Sequence, residues 1–174
     1  MSALIFIVET LLSLALFVFL LRLLLQWTRA DFRNPIAQAV VKITNPLVLP
    51  LRRVLPPIGK VDTASVVAVL IVASIDVAIV FALREVFVPD PLTWLRAVVV
   101  EILRTLLSAY FYAILLYAVL SMIAPGGYSP VQSLLTSLCE PVLKPFRIIP
   151  AIAGIDLSPL WACIAIQALL ILLR

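Results

Sequence analysis

Pro35-Ile-Ala-Gln-Ala-Val-Val-Lys-Ile-Thr-Asn-Pro46 returns about 95 residues later as Pro130-Val-Gln-Ser-Leu-Leu-Thr-Ser-Leu-Cys-Glu-Pro141. Self-similarity at a fixed spacing dictates architecture, so it is read before anything else. The register holds through Pro50 with Pro145 and Arg52 with Arg147. After a one-residue deletion, Pro56 meets Pro150, Ile58 meets Ile152 and Asp62 meets Asp156, each Asp just ahead of an apolar run.

Outward from these paired stretches the chain is apolar. Of its 174 residues 64% are hydrophobic and 13% charged, against about half and a quarter in soluble domains, so the excess calls for lipid as solvent. Four segments approach the roughly 20 apolar residues that cross a hydrocarbon core: Leu4 to Leu25, Ala64 to Leu83, Ala97 to Ile123, and the shortest, Leu157 to Leu173. The expected fold is an all-α membrane protein with four transmembrane helices in two tandem repeats, residues 1–96 and 97–174. Each repeat holds an even number of spans, so both enter the bilayer from the same side. The repeats are parallel, related by a pseudo-twofold axis along the membrane normal, as in a fused homodimer.

Each repeat's spans are joined by a short amphipathic helix and a proline-rich bend. Ser129-Pro130 is an N-cap with Pro at the first helical position. It predicts a helix over about 130–143 with Val131, Leu134, Leu135, Leu138 and Val142 on one face. Asn34-Pro35 predicts the same over about 35–47, with Ile36, Val40, Ile43 and Leu47 as its stripe. These helices are too short and polar to span. They lie in the headgroup zone, pack on the transmembrane bundle, or do both. The prolines that follow, Pro46 and Pro50 or Pro141 and Pro145, each remove a donor and crowd the preceding turn, so the chain is expected to bend there toward the membrane. Arg52 and Arg147, with Arg53 and Lys144, are candidates for binding lipid phosphate or a partner; a structural cap or a topology charge is the plainer reading. Asp62 and Asp156 are read as helix N-caps, with pairing to Arg52 and Arg147 as the alternative.

Basic residues concentrate between the first two spans, at Arg29, Arg33, Lys42, Arg52, Arg53 and Lys60, and Lys144 and Arg147 lie between the last two. The positive-inside rule places both loops in the cytoplasm and the termini outside. No Lys or Arg precedes the first apolar run, which therefore reads as a retained span, not a cleaved signal peptide. Net charge is +4, but its loop distribution argues against direct nucleic-acid binding. The chain has no His, and Cys139 and Cys163 stand in no metal-ligand spacing, so both read as packing residues and neither metal nor other cofactor is expected. No nucleophile–base pair or phosphate-binding glycine loop appears, and enzyme activity is not expected.

Asp76 falls inside the second span, where insertion costs about 2.5 to 3.5 kcal/mol for an Asp. It must face protein or water. Candidate partners are Glu101, Arg104, Ser74 and Ser108; a protonated or cation-binding carboxyl competes with a helix staple, the plainer role. Arg22 lies near a span end and is expected to snorkel. Glu101 and Arg104, three residues apart, are positioned to neutralise each other.

The strings Asn45-Pro-Leu-Val-Leu-Pro-Leu-Arg-Arg-Val-Leu-Pro-Pro-Ile-Gly-Lys-Val-Asp62 and Glu140-Pro-Val-Leu-Lys-Pro-Phe-Arg-Ile-Ile-Pro-Ala-Ile-Ala-Gly-Ile-Asp-Leu-Ser-Pro159 resemble the hallmark of the YggT, or YlmG, family in its two-repeat form. Asn45 where the second copy has Glu140, and Lys60 in place of a small residue, depart from that pattern. The resemblance implies a multi-pass inner-membrane protein, with relatives linked to osmotic stress tolerance and potassium uptake, or in photosynthetic lineages to division, nucleoid distribution and cytochrome b6 haem maturation. No catalytic residue carries over. The expected function is a non-enzymatic membrane scaffold or assembly factor linked to osmotic or envelope stress, its loops engaging anionic lipid or a membrane protein partner, with homo-oligomers possible. The alternative is potassium transport, or modulation of an ion transporter, through Asp76.

Overall fold

The computed structural model describes residues 2–57, 62–87, 90–123, 129–148 and 156–173. Among the described residues there are helices and turns and no strand. The helices are α1 (Ser2–Trp27), α2 (Pro35–Val54), α3 (Thr63–Leu83), α4 (Pro91–Ile123), α5 (Pro130–Leu143) and α6 (Ser158–Leu172), with a 3-10 turn at Lys144–Ile148 after α5. Pro150, Lys60, Ile58 and Ile152 lie outside the described residues.

Among the described residues three helices, α1, α3 and α4, are long and apolar enough to cross a membrane. The apolar α6 has 15 residues. At about 1.5 Å per residue it is roughly 22 Å long, less than a hydrocarbon core of about 30 Å. By the same rise α4, with 33 residues, is roughly 50 Å long and exceeds the span expected over 97–123.

Two compact units divide the chain, one of Met1–Leu23 with Val40–Leu106 and the other of Leu24–Ala39 with Leu107–Arg174. In the first, Leu16 and Leu20 of α1, Val69, Ala73 and Val77 of α3 and Val98 of α4 form one buried cluster. Val48 of α2 joins Ala64 and Ala68 of α3 in another. Alanine at 64, 68 and 73 lets backbones approach closely, which is how helices gain contact where lipid offers no hydrophobic contrast. In the second unit Ile114 of α4, Cys139 and Leu143 of α5, and Ala162 and Ile166 of α6 form the core.

Two expectations for α2 are corrected. The helix does not end near residue 47; it runs through Pro46 and Pro50 to Val54. Each proline still withdraws a donor, from the carbonyls of Lys42 and Pro46, but packing on both sides outweighs this. Ahead of Pro46, Arg22 is bonded to Val41, Thr44 and Asn45; beyond it, Val48 is fully buried and Arg52 is tied to Asp62. The second copy departs from this, since α5 includes Pro141 but gives way to the 3-10 turn around Pro145. The buried face of α2 is also rotated from the expected stripe. Ala37, Val40, Thr44 and Val48 are buried, whereas Ile43 is 63% exposed. A buried threonine breaks an apolar count, and its hydroxyl is satisfied by donating to the Val40 carbonyl at 2.7 Å.

Candidate functional site

The proline-containing stretches end on arginine–aspartate pairs, and the two copies differ. Arg52 donates to Asp62 from Nε, at 3.2 Å to Oδ2 and 3.4 Å to Oδ1, and from Nη2 to Oδ2. Ser65 Oγ donates to the same Oδ2 at 2.6 Å. Asp62 stands at the N-cap position of α3 but makes no capping hydrogen bond; its oxygens are taken by Arg52 and Ser65, so pairing, not capping, is its role. Burial alone would push its carboxyl up, and the hydrogen bonds from Arg52 and Ser65 outweigh that and hold it below the ordinary value. In the second copy Arg147 Nε is 3.8 Å from Asp156, and Arg147 Nη1 is 3.7 Å from Glu140. Asp156 there accepts the Ser158 N–H at 2.9 Å, and hydrogen bonding to Ser158, through its side chain first and its backbone second, holds the Asp156 carboxyl below the ordinary value. Arg53 and Lys144 are exposed.

Arg22 does not snorkel. It is 4% exposed and its Nη1 donates to Thr44 Oγ1 at 2.6 Å, Asn45 Oδ1 at 3.0 Å and the Val41 carbonyl at 3.4 Å. A guanidinium removed from water needs this density of acceptors. The signal in the sequence was the departure at position 45, where Asn45 stands opposite Glu140 of the other copy. Each is the first residue of the hallmark; one serves Arg22 and the other faces Arg147.

In the second unit Asn34, just ahead of Pro35, is bonded to Pro130. Asn34 Oδ1 accepts the Ile36 N–H at 2.9 Å, capping α2, while Asn34 Nδ2 donates to the Pro130 carbonyl at 2.6 Å. Ser129 Oγ caps α5 by accepting the Gln132 N–H at 3.1 Å. A cavity of about 650 Å³ opens beside these two helix starts, with Arg33 and Asp31 on its rim.

A second cavity, about 510 Å³, lies among α1, α3 and α4 of the first unit. Its wall carries Glu9, Asp76, Arg84, Arg96, Glu101 and Arg104. Glu9 was not singled out from sequence, yet it accepts two bonds from Arg84, at 2.7 Å from Nε and 3.0 Å from Nη2. The two residues are 75 apart, which hid the relation. Asp76 is 2% exposed, and its Oδ2 has no hydrogen-bond partner among the described residues. Of its candidate partners, Glu101 and Arg104 share the cavity, while the Ser74 hydroxyl donates to the Leu70 carbonyl at 2.7 Å.

The two amphipathic segments present different outer faces. α5 buries Leu134, Leu135 and Leu138 and exposes Ser133, Glu140 and Lys144. α2 buries one face and exposes a second apolar row: Ile43, Pro46, Pro50 and Val54, the last 77% exposed, with Lys42 and Arg53 exposed beside it. Ile43 and Val54 are about three turns apart, as are Lys42 and Arg53.

The sequence of the chain is 37% identical over 171 residues to an uncharacterized protein of Pseudomonas aeruginosa, covering 95% of this chain and 85% of that one. It is 37% identical over 161 residues to the uncharacterized protein YggT of Escherichia coli K12, covering 92% and 83%. An uncharacterized Vibrio alginolyticus protein, described by its position in the proC 3' region, is 34% identical over 169 residues, covering 96% and 91%. No solved structure matches significantly. The CCB3/YggT family profile matches residues 1–83 and 96–174, and on that match over nearly its whole length the chain belongs to the CCB3/YggT family.

Proposed function

We propose that the protein is a non-enzymatic scaffold or assembly factor of the inner membrane, linked to osmotic or envelope stress tolerance, that holds anionic lipid or a membrane protein partner against α2. In this reading α6 is the fourth span, the two family-profile segments are two parallel repeats, α2 and α5 lie on the cytoplasmic side and the termini are periplasmic. The observation that carries it is the second apolar row of α2. An exposed line of Ile43, Pro46, Pro50 and Val54 bordered by Lys42 and Arg53 is the composition of a helix lying in the headgroup zone, where each basic residue adds about 1 kcal/mol of attraction to an anionic surface. Arg52 is largely committed to Asp62, so Arg53 and Lys42 carry the lipid contact on this helix.

Native mass spectrometry of the full-length protein released from nanodiscs tests this. Anionic lipid should remain bound in preference to phosphatidylcholine, and Lys42→Glu with Arg53→Glu should remove the preference; equal retention in both proteins rejects the lipid contact. A second reading, potassium transport or modulation of a transporter, draws on the polar cavity beside Asp76. Potassium flux in liposomes that is the same for the native protein and for Asp76→Asn, with assembly preserved, removes it. Flux by the purified protein alone, with no partner captured from mild detergent, rejects the scaffold instead.

A further inference from the structure

Asp76 lies inside α3, a helix of membrane-spanning length, and its neighbours Ala73 and Val77 belong to the apolar core of the first unit. Its carboxyl borders the 510 Å³ cavity, a volume that holds roughly seventeen waters at about 30 Å³ each. Oδ2 is nevertheless shut away from solvent and has no donor among the described residues. An ionised carboxylate oxygen enclosed in this way is far costlier to keep than a neutral acid. Three things relieve that cost: a donor, a metal cation or a proton.

The structure leaves the third. Among the described residues no donor reaches Oδ2, and no three acidic or other metal-ligating side chains converge to hold a metal ion. We propose that Asp76 is a proton-binding site, loaded and unloaded through the polar cavity among α1, α3 and α4. In loading, a hydronium in the cavity gives its proton to Asp76, an O–H bond forms on the carboxyl, and a neutral water is left behind. The charged groups that face the site are Glu9 from α1, Arg84 at the C-terminal cap of α3, and Arg96, Glu101 and Arg104 from α4. The two glutamates favour the bound proton and the arginines oppose it. Arg84 is already matched to both oxygens of Glu9, so loss of that pair changes the field at Asp76. With Ala73 and Val77 beside it in the apolar core, the neutral acid suits these surroundings better than the ionised one. This inference goes beyond the scaffold reading and stands without it.

Infrared difference spectroscopy on the full-length protein in lipid nanodiscs, titrated with acid and base, is the test. A carboxylic-acid C=O band should disappear on alkalinisation, be absent in Asp76→Asn, and change its midpoint in Glu9→Gln and Glu101→Gln. A carboxyl carbon-13 label on aspartate in the unmutated protein should shift that same band, which keeps the test open if Asp76→Asn fails to fold. A titrating acid band that ignores both the label and the substitution, or no titrating acid band at all, overturns the proposal.

Discussion

Arg52 meets Asp62 side-on, with Nε and Nη2 both directed at its carboxylate, whereas the matched Arg147 and Asp156 stand 3.8 Å apart. The pairs come from equivalent positions of one repeat, yet burial separates them: Asp62 is 6% exposed and Asp156 53%. A buried carboxylate that loses its partner leaves an uncompensated charge, while an exposed one regains water. Arg52→Ala should therefore destabilise the protein by about 2 kcal/mol, discounted for the partial exposure of Arg52, and Arg147→Ala by under about 1 kcal/mol. Thermal unfolding in detergent, followed by tryptophan fluorescence, compares them; equal losses would show that the two pairs are energetically alike.

The same pair sets a pH dependence. Asp62 is held below its ordinary value of 3.8 when folded, so its contribution is fully present above the unfolded value. It is lost as pH falls through the lower folded value. Melting temperature of the native protein should fall on acidification through that window, and Asp62→Asn, already without the contribution, should show a shallower slope there. Parallel curves for the two proteins would assign the acid sensitivity to other groups.

Arg22 gives a third expectation. Its three acceptors are all in the stretch of α2 from Val41 to Asn45, so it braces the helix just before Pro46. Thr44→Val keeps the shape and deletes the hydroxyl, at a cost of about 1 kcal/mol. Arg22→Ala should cost about 3 kcal/mol, because Thr44 and Asn45 lose a charged donor in a buried place. If Arg22 is the brace, the double substitution costs less than the sum of the two. Strict additivity in unfolding experiments would mean that the helix continues past the prolines for another reason.

These residues show where sequence reading reached and where it stopped. The long apolar helices and the Pro35 and Pro130 helix starts were legible because apolar runs and capping chemistry are local. The passage of α2 through Pro46 and Pro50 was not, because it depends on Arg22 and Val48 meeting partners on other helices, and local propensity ranks those prolines as breakers. Glu9 escaped notice for a related reason: its importance is its bond to Arg84 on another helix. Asp76 was visible as a charge in an apolar run, but the enclosed Oδ2 and the cavity beside it exist only once three helices are packed.

The cysteines close the set. Cys139 is fully buried in the core of the second unit, against Ile114, Leu143 and Ala162. Burial, with a smaller contribution from neighbouring Cys163, pushes its thiol up to about 12. Since the thiolate is the reactive form, and the side chain is out of reach, Cys139 should resist maleimide at neutral pH until the protein unfolds. Mass spectrometry of alkylated peptides over a denaturant series should show its labelling rise with loss of tertiary structure. Rapid modification of Cys139 in the native protein would mean that α5 opens away from α6 far more readily than a packed helix should.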